Sequence, residues 1–164
     1  PSEGGWYYQQ VALGYNYRMT DMQAALLSSQ LDKLPMFAER RKELVRRYDE
    51  AFSQFPEITV QKEIPASDTV RHLYIIQLNT EMLSCTRREV FEALQAEGVG
   101  VNVHYIPTYL FPYYQQHGYE KGSCPNAEKL YERIISIPLF YSMTDEDQDN
   151  VIKAIRKVLD HYKR

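Results

Sequence analysis

Three threonines punctuate the chain, each followed three residues on by a side chain able to close a helix start: Thr20 with Gln23, Thr86 with Glu89, and Thr144 with Asp147. In such a pair the threonine oxygen accepts from the amide of the third helical residue, while the partner side chain reaches back to the threonine N–H. Helices are therefore expected to begin at three set points, which leaves only the intervening segments for strands. After Thr20, Met22, Ala25, Leu26, Leu31 and Leu34 recur at helical spacing and predict an amphipathic first helix. Pro35 lacks an amide and disfavours helical dihedrals in the residue before it, so a break or bend is expected near Leu34. A second helix follows, with Phe37, Leu44, Val45, Tyr48, Phe52 and Phe55 as its buried stripe and Pro56 as its stop. The two would make a long bent helix of about 50 Å at 1.5 Å per residue.

Beyond Pro56 the period changes to two. Ile58, Val60, Lys62 and Ile64 read as a short edge strand. Val70 to Leu78 is richer: His72, Tyr74, Ile76 and Leu78 fall on one face and Arg71, Leu73, Ile75 and Gln77 on the other, as in a central strand covered on both sides. Val90, Phe91 and Leu94 give the next helix its apolar stripe, and Gly98 ends it. Val99, Val101 and Val103 then alternate with Gly100, Asn102 and His104, predicting another strand. From Tyr105 to Cys124 no period holds, and the prolines, glycines and tyrosines there read as a long functional loop. Pro125 opens a helix through Tyr131, Ile134 to Ile137 form a short buried strand stopped by Pro138, and Thr144 starts the last helix. This order predicts an α/β fold with a small, mostly antiparallel sheet packed with helices. Its segments are residues 1–20, a long connecting helix over 21–56, and an α/β domain over 57–164.

The 164 residues suit one domain with a real core, and 44% hydrophobic with 25% charged residues is ordinary for a globular chain. A net charge of −3 gives no electrostatic case for nucleic acid or anionic lipid as partner. Cys85 and Cys124 lie far apart and form no CxxC pair, which argues against a disulfide framework or a zinc site and fits a reducing cytoplasm. No apolar run approaches the roughly 20 residues of a membrane helix, and no signal peptide opens the sequence. A soluble, intracellular protein is expected. The first residue is Pro1 rather than methionine, as in a piece of a longer polypeptide.

The stretch Leu13 to Asp21 is built differently from a core segment. Gly14 permits close backbone approach, and Asn16 and Arg18, two apart in an extended run, can point the same way. Such a pair suits an anion; the bland reading is an aromatic turn leading into a capped helix, with Arg18 solvated. No phosphate loop, GxGxxG turn, GxSxG elbow or HExxH helix is present. His72 and His104 could face one another across neighbouring strands, but they lack a third metal ligand at useful spacing, so no metal site is assigned. Asn102, His104, Tyr105 and Thr108 cluster at a strand end beside the long loop, where open α/β sheets bind ligands. A structural loop packed by its tyrosines is the equal alternative.

The stretch GYNYRMTDMQAALLSSQLDKL resembles the signature that follows the cofactor lysine in sugar-nucleotide aminotransferases of the DegT/DnrJ/EryC1/StrS family. HLYIIQL, VNVHYIPTYLFPYY and ISIPLFYSMTDED resemble later landmarks of that family in the same order, so the resemblance covers nearly the whole chain. GGWYYQQ resembles the subgroup that aminates a UDP-4-keto-6-deoxy sugar on the pseudaminic-acid pathway, and its spore-coat polysaccharide relatives. The resemblance implies the C-terminal small domain of a fold-type I enzyme that uses pyridoxal 5'-phosphate and glutamate to convert a keto-sugar nucleotide to an amino sugar, as a homodimer. It implies that Asn16 reaches the cofactor phosphate in the partner subunit, that Arg18 lies beside it, and that residues 1–20 are an interface loop. His104, Tyr105, Ile106 and Pro107 match the segment lining the sugar-nucleotide site, and His72 matches a histidine at the small-domain edge. The family's Schiff-base lysine falls upstream of the Asn16 motif, and none of Lys33, Lys42, Lys62 or Lys121 matches it. No catalytic residue is therefore assigned, and the chain alone is expected to be inactive. The alternative from another class is a non-enzymatic α/β module that binds a sugar or a protein.

Overall fold

The computed structural model describes residues 11–164. GGWYYQQ lies outside them. The chain divides into two compact units, residues 1–35 and 36–164.

In the first unit an extended stretch runs into helix α1 (Asp21–Leu31). Its start is closed as expected: Gln23 N donates to Thr20 Oγ1 at 3.3 Å, and Thr20 N donates to Gln23 Oε1 at 3.0 Å. The amphipathic reading of this helix needs correction, because none of its residues is buried and Met22, Leu26, Leu27 and Leu31 are all exposed. The apolar spacing is present, but nothing described in its own unit covers it. Asp32 and Lys33 form a turn, and helix α2 (Leu34–Phe52) begins immediately after. Pro35 sits in the first turn of α2, where a helix leaves its amides unpaired and proline costs little.

The second unit is built on a three-stranded antiparallel sheet in the order β1 (Ile58–Val60), β2 (Tyr74–Leu78), β3 (Ile134–Ile137). Ile58 pairs with Leu78 and Tyr74 with Ile137, so β2 is central. Its alternation sorts the faces. Tyr74, Ile76 and Leu78 are fully buried in the core with Leu44, Tyr48 and Phe52 of α2. Helices α3 (Arg87–Ala96) and α6 (Asp145–Tyr162) complete this side through Val90, Leu94, Ile155 and Leu159. Ile75 and Gln77 face the other way and are half-buried.

Aromatic rings fix the centre. Tyr48 stacks on Phe52 at 5.5 Å between centroids and lies 4.8 Å from Tyr74. The Tyr48 hydroxyl donates to the Pro138 carbonyl at 3.0 Å, which satisfies the polar tip of a buried ring. α3 ends in a six-residue C-cap: Gly98 has φ +81°, its N–H donates to Gln95 O, and Val99 N–H donates to Leu94 O.

Three expectations change. Val99 to His104 is not a strand; only Asn102 bridges to Ser136, at the outer edge of β3. Asn102 and Ser136 exchange both backbone hydrogen bonds, at 3.0 and 2.7 Å, but the pairing stops there; the Val103 amide, which this register turns away from β3, donates to Asn102 Oδ1 at 2.7 Å. The alternation survives in burial, with Val99 and Val101 inside. The segment 105–124 is not wholly irregular: a 3₁₀ turn spans Thr108–Leu110 and helix α4 spans Pro112–Gln116, before α5 (Pro125–Tyr131). His72 does not share the core face of β2; it is exposed ahead of the strand while Arg71 beside it is buried. The Arg71 guanidinium donates to Gln61 O at 2.9 Å, pairs with Asp49 at 3.6 Å and Glu63 at 3.8 Å, and lies over the Tyr74 ring, partners that compensate its buried charge although Nε makes no hydrogen bond.

Candidate functional site

Asn16 and Arg18 do meet, in the extended stretch just ahead of the Thr20 cap. Arg18 Nε donates to Asn16 Oδ1 at 3.1 Å, with both side chains exposed, and the rings of Tyr15 and Tyr17 lie 5.5 Å apart. An amide and a guanidinium joined this way keep N–H groups of both in one small region, a donor set suited to phosphate or carboxylate.

The second group stands on the open face of the sheet. Side chains alternate along β3, so Ile135 and Ile137 enter the core while Ser136 and Ile134 share the opposite face with Ile75 and Gln77. His104 lies over this face: its Nδ1 is 2.9 Å from Ser136 Oγ, and its ring meets Tyr105 edge-on at 4.6 Å. A cavity of about 410 Å³ opens beside it, with Ile75, Ile134 and Leu130 as apolar wall and Thr59, Gln61, Gln77 and His104 as polar groups. Apolar walls with a few convergent polar groups are the usual make-up of a small-molecule pocket. Tyr105 is exposed, and Ile106 and Pro107 are half-buried as the chain turns into the Thr108–Leu110 helical turn.

Glu128 of α5 holds the rest of that loop. It accepts from the Tyr109 hydroxyl at 2.8 Å and from the Gly122 amide at 2.6 Å. These two hydrogen bonds draw its carboxyl below the ordinary range, whereas burial and the bond to Glu128 push the Tyr109 hydroxyl up to about 12.

Sequence and structure agree on bringing Asn16 to Arg18 and His104 to Tyr105. They part over the histidines: β3 lies between β2 and the segment bearing His104, so His72 and His104 are not on neighbouring strands. The His72 carbonyl accepts from Arg41 Nη1 at 3.4 Å, a guanidinium that also meets the carbonyls of Arg71 and Leu139. Ser136 and Gln77 were missed as site residues. Ser136 had a signal, being the one hydroxyl in an otherwise isoleucine run; Gln77 had none beyond its place opposite the core residues. Among the described residues no group of three or more His, Cys, Asp or Glu stands together to hold a metal ion, and no helix is long and apolar enough to cross a membrane. A cleft of about 560 Å³ lined by Lys42, Arg46, Lys62 and Arg71 also contains Asp49, Glu63 and Asp68, so its charge is largely compensated.

The sequence pattern of the DegT/DnrJ/EryC1/StrS aminotransferase family matches residues 2–156. The chain belongs to that family. The spore coat polysaccharide biosynthesis protein SpsC of Bacillus subtilis is 40% identical over 160 residues, covering 96% of this chain and 41% of SpsC. The UDP-4-amino-4,6-dideoxy-N-acetyl-beta-L-altrosamine transaminase of Campylobacter jejuni is 36% identical over 159 residues, with 97% of this chain and 42% of that protein covered. Among solved structures, the sugar aminotransferase candidate Spr1654 of Streptococcus pneumoniae in its PMP form matches with a TM-score of 0.85 and 31% identity over 98% of this chain and 40% of its own. The same protein is also matched in its PLP form. This chain thus spans about two-fifths of the length of these DegT/DnrJ/EryC1/StrS relatives. Its α/β fold, with the small antiparallel sheet, is that of the C-terminal small domain of pyridoxal-phosphate sugar aminotransferases.

Proposed function

We propose that this chain is the C-terminal part of a cytoplasmic, homodimeric aminotransferase that moves the amino group of glutamate onto a keto-sugar nucleotide, a UDP-4-keto-6-deoxy-N-acetylhexosamine, for surface or spore-coat polysaccharide. The observation that carries this reading is the family match over residues 2–156, joined to the hydrogen-bonded Asn16–Arg18 pair inside the family's own motif. The names of the Bacillus and Campylobacter relatives support the substrate class.

In this reading Asn16 and Arg18 reach the cofactor phosphate of the partner subunit, where the amide and guanidinium N–H groups suit its oxygens. Bound pyridoxal phosphate supplies the electron sink that transamination needs. Residues 1–20 form the interface arm, 21–56 the connecting helix and 57–164 the small domain. His104, Tyr105, Ile106 and Pro107, with His72 at the domain edge, line the sugar-nucleotide site. The pocket beside His104 offers neutral polar groups for sugar hydroxyls, and its apolar wall keeps water from competing for them.

No lysine of the chain matches the family's Schiff-base position, so the chain by itself neither holds the cofactor covalently nor transaminates. The test is to mix it with stoichiometric pyridoxal phosphate and treat the sample with borohydride. We expect no absorbance band of lysine-bound cofactor. Such a band, removed by borohydride, would overturn the inactivity, and binding of a UDP-sugar without any amino transfer in the full-length protein would favour a non-enzymatic module.

A further inference from the structure

We infer that Ser136 is a positioning residue that fixes the tautomer of His104, so that the imidazole presents Nε2–H as a hydrogen-bond donor at the open face of the sheet. Three observations on β3 carry this. Ser136 is 4% exposed, and its backbone stands opposite Ile75 of β2 and exchanges both of its hydrogen bonds with Asn102 at the outer edge, which fixes where its side chain starts. Its Oγ lies 2.9 Å from His104 Nδ1. Among the described residues that ring nitrogen is the hydroxyl's polar partner.

A hydroxyl must place one proton, and a neutral imidazole has one donor and one acceptor nitrogen. If Nδ1 carried the proton and donated to Oγ, the Ser136 proton would be left buried without an acceptor, at the cost of an unmade hydrogen bond. If Ser136 donates to Nδ1, both groups are satisfied and the imidazole proton must sit on Nε2. Tyr105, edge-on to the ring, holds its plane. The nitrogen left to meet a ligand in the 410 Å³ cavity is then a donor, matched to an oxygen acceptor such as a sugar hydroxyl or carbonyl. Assigning that oxygen to the keto-sugar nucleotide rests on the function proposed above; the tautomer does not.

Long-range ¹H–¹⁵N correlation spectra of the full chain, recorded above neutral pH and assigned with His104→Gln, read the tautomer directly. The expected result is one His104 species, with Nε2 protonated and Nδ1 accepting. In Ser136→Ala the ratio of the two tautomers should move roughly threefold to tenfold toward Nδ1–H, the worth of one hydrogen bond. Ser136→Thr keeps the hydroxyl and should restore the single species, which separates hydrogen bonding from packing. Wild-type His104 protonated on Nδ1 would overturn the inference without any variant, and so would a tautomer ratio unmoved in Ser136→Ala. A correct tautomer in a chain whose relatives' substrates fail to perturb the His104 signals would instead count against the proposed function.

Discussion

Tyr48 joins ring packing to a hydrogen bond at the centre of the core. Its ring is fully buried between Phe52 and Tyr74, while its hydroxyl reaches the Pro138 carbonyl at the end of β3. Burial pushes that hydroxyl well above the ordinary tyrosine range, so it stays protonated and donating at neutral pH. Tyr48→Phe keeps the packing and deletes the donor; we expect a loss of about 1 kcal/mol in urea unfolding. Residue identity was legible where period sets it: Leu44, Tyr48, Phe52, Tyr74, Ile76 and Leu78 follow directly from helical and strand spacing. Ser136 and Arg71 were not, because their roles depend on a particular partner from distant sequence, His104 in one case and Gln61 and Asp49 in the other. Spacing marks which face a side chain takes, not what it meets there.

Elements begin where their caps say and end where donors run out. All three threonine starts close reciprocally, and α3 stops at Gly98 because its left-handed φ of +81° lets two amides fold back. A Cβ at Gly98 would meet no atom within 4 Å, so Gly98→Ala isolates backbone strain from crowding. We expect about 1 kcal/mol of destabilisation, read from the urea midpoint with an unchanged slope. The expected strand over 99–104 shrinks to one bridge, Asn102 with Ser136, because alternation sorts side chains to faces and does not say whether a backbone partner continues alongside.

The start of α6 is tied to α2 by Asp145, which Arg40 holds at 3.0 Å and Arg47 at 2.7 Å. The Arg40 hydrogen bond brings the Asp145 carboxyl below its ordinary 3.8, and the Thr144 hydrogen bonds do the same for Asp147. Each is lower folded than unfolded, so the stability they contribute is complete above about pH 5 and is lost as pH falls through the folded values. Urea midpoints should therefore drop between pH 5 and pH 3, and Asp145→Asn should flatten that drop.

At the scale of the molecule, residues 36–164 build a core, while the described residues of the other unit do not. Residues 36–164 gather three helices on one face of the sheet, whereas α1 leaves Met22, Leu26, Leu27 and Leu31 exposed. The sequence showed the apolar stripe of α1 but not its want of cover, since periodicity says that a face is apolar and not who supplies the other half. Asn16 and Arg18 stand on the approach to that helix, and the proposed function depends on them most. Equilibrium dialysis of pyridoxal phosphate against the full-length protein, with and without Asn16→Ala, measures that dependence. We expect cofactor affinity to fall at least several-fold while the urea midpoint of the fold stays put, as removal of one phosphate donor requires. An Asn16→Ala protein that retains the cofactor as tightly as wild type would contradict the role proposed for this motif.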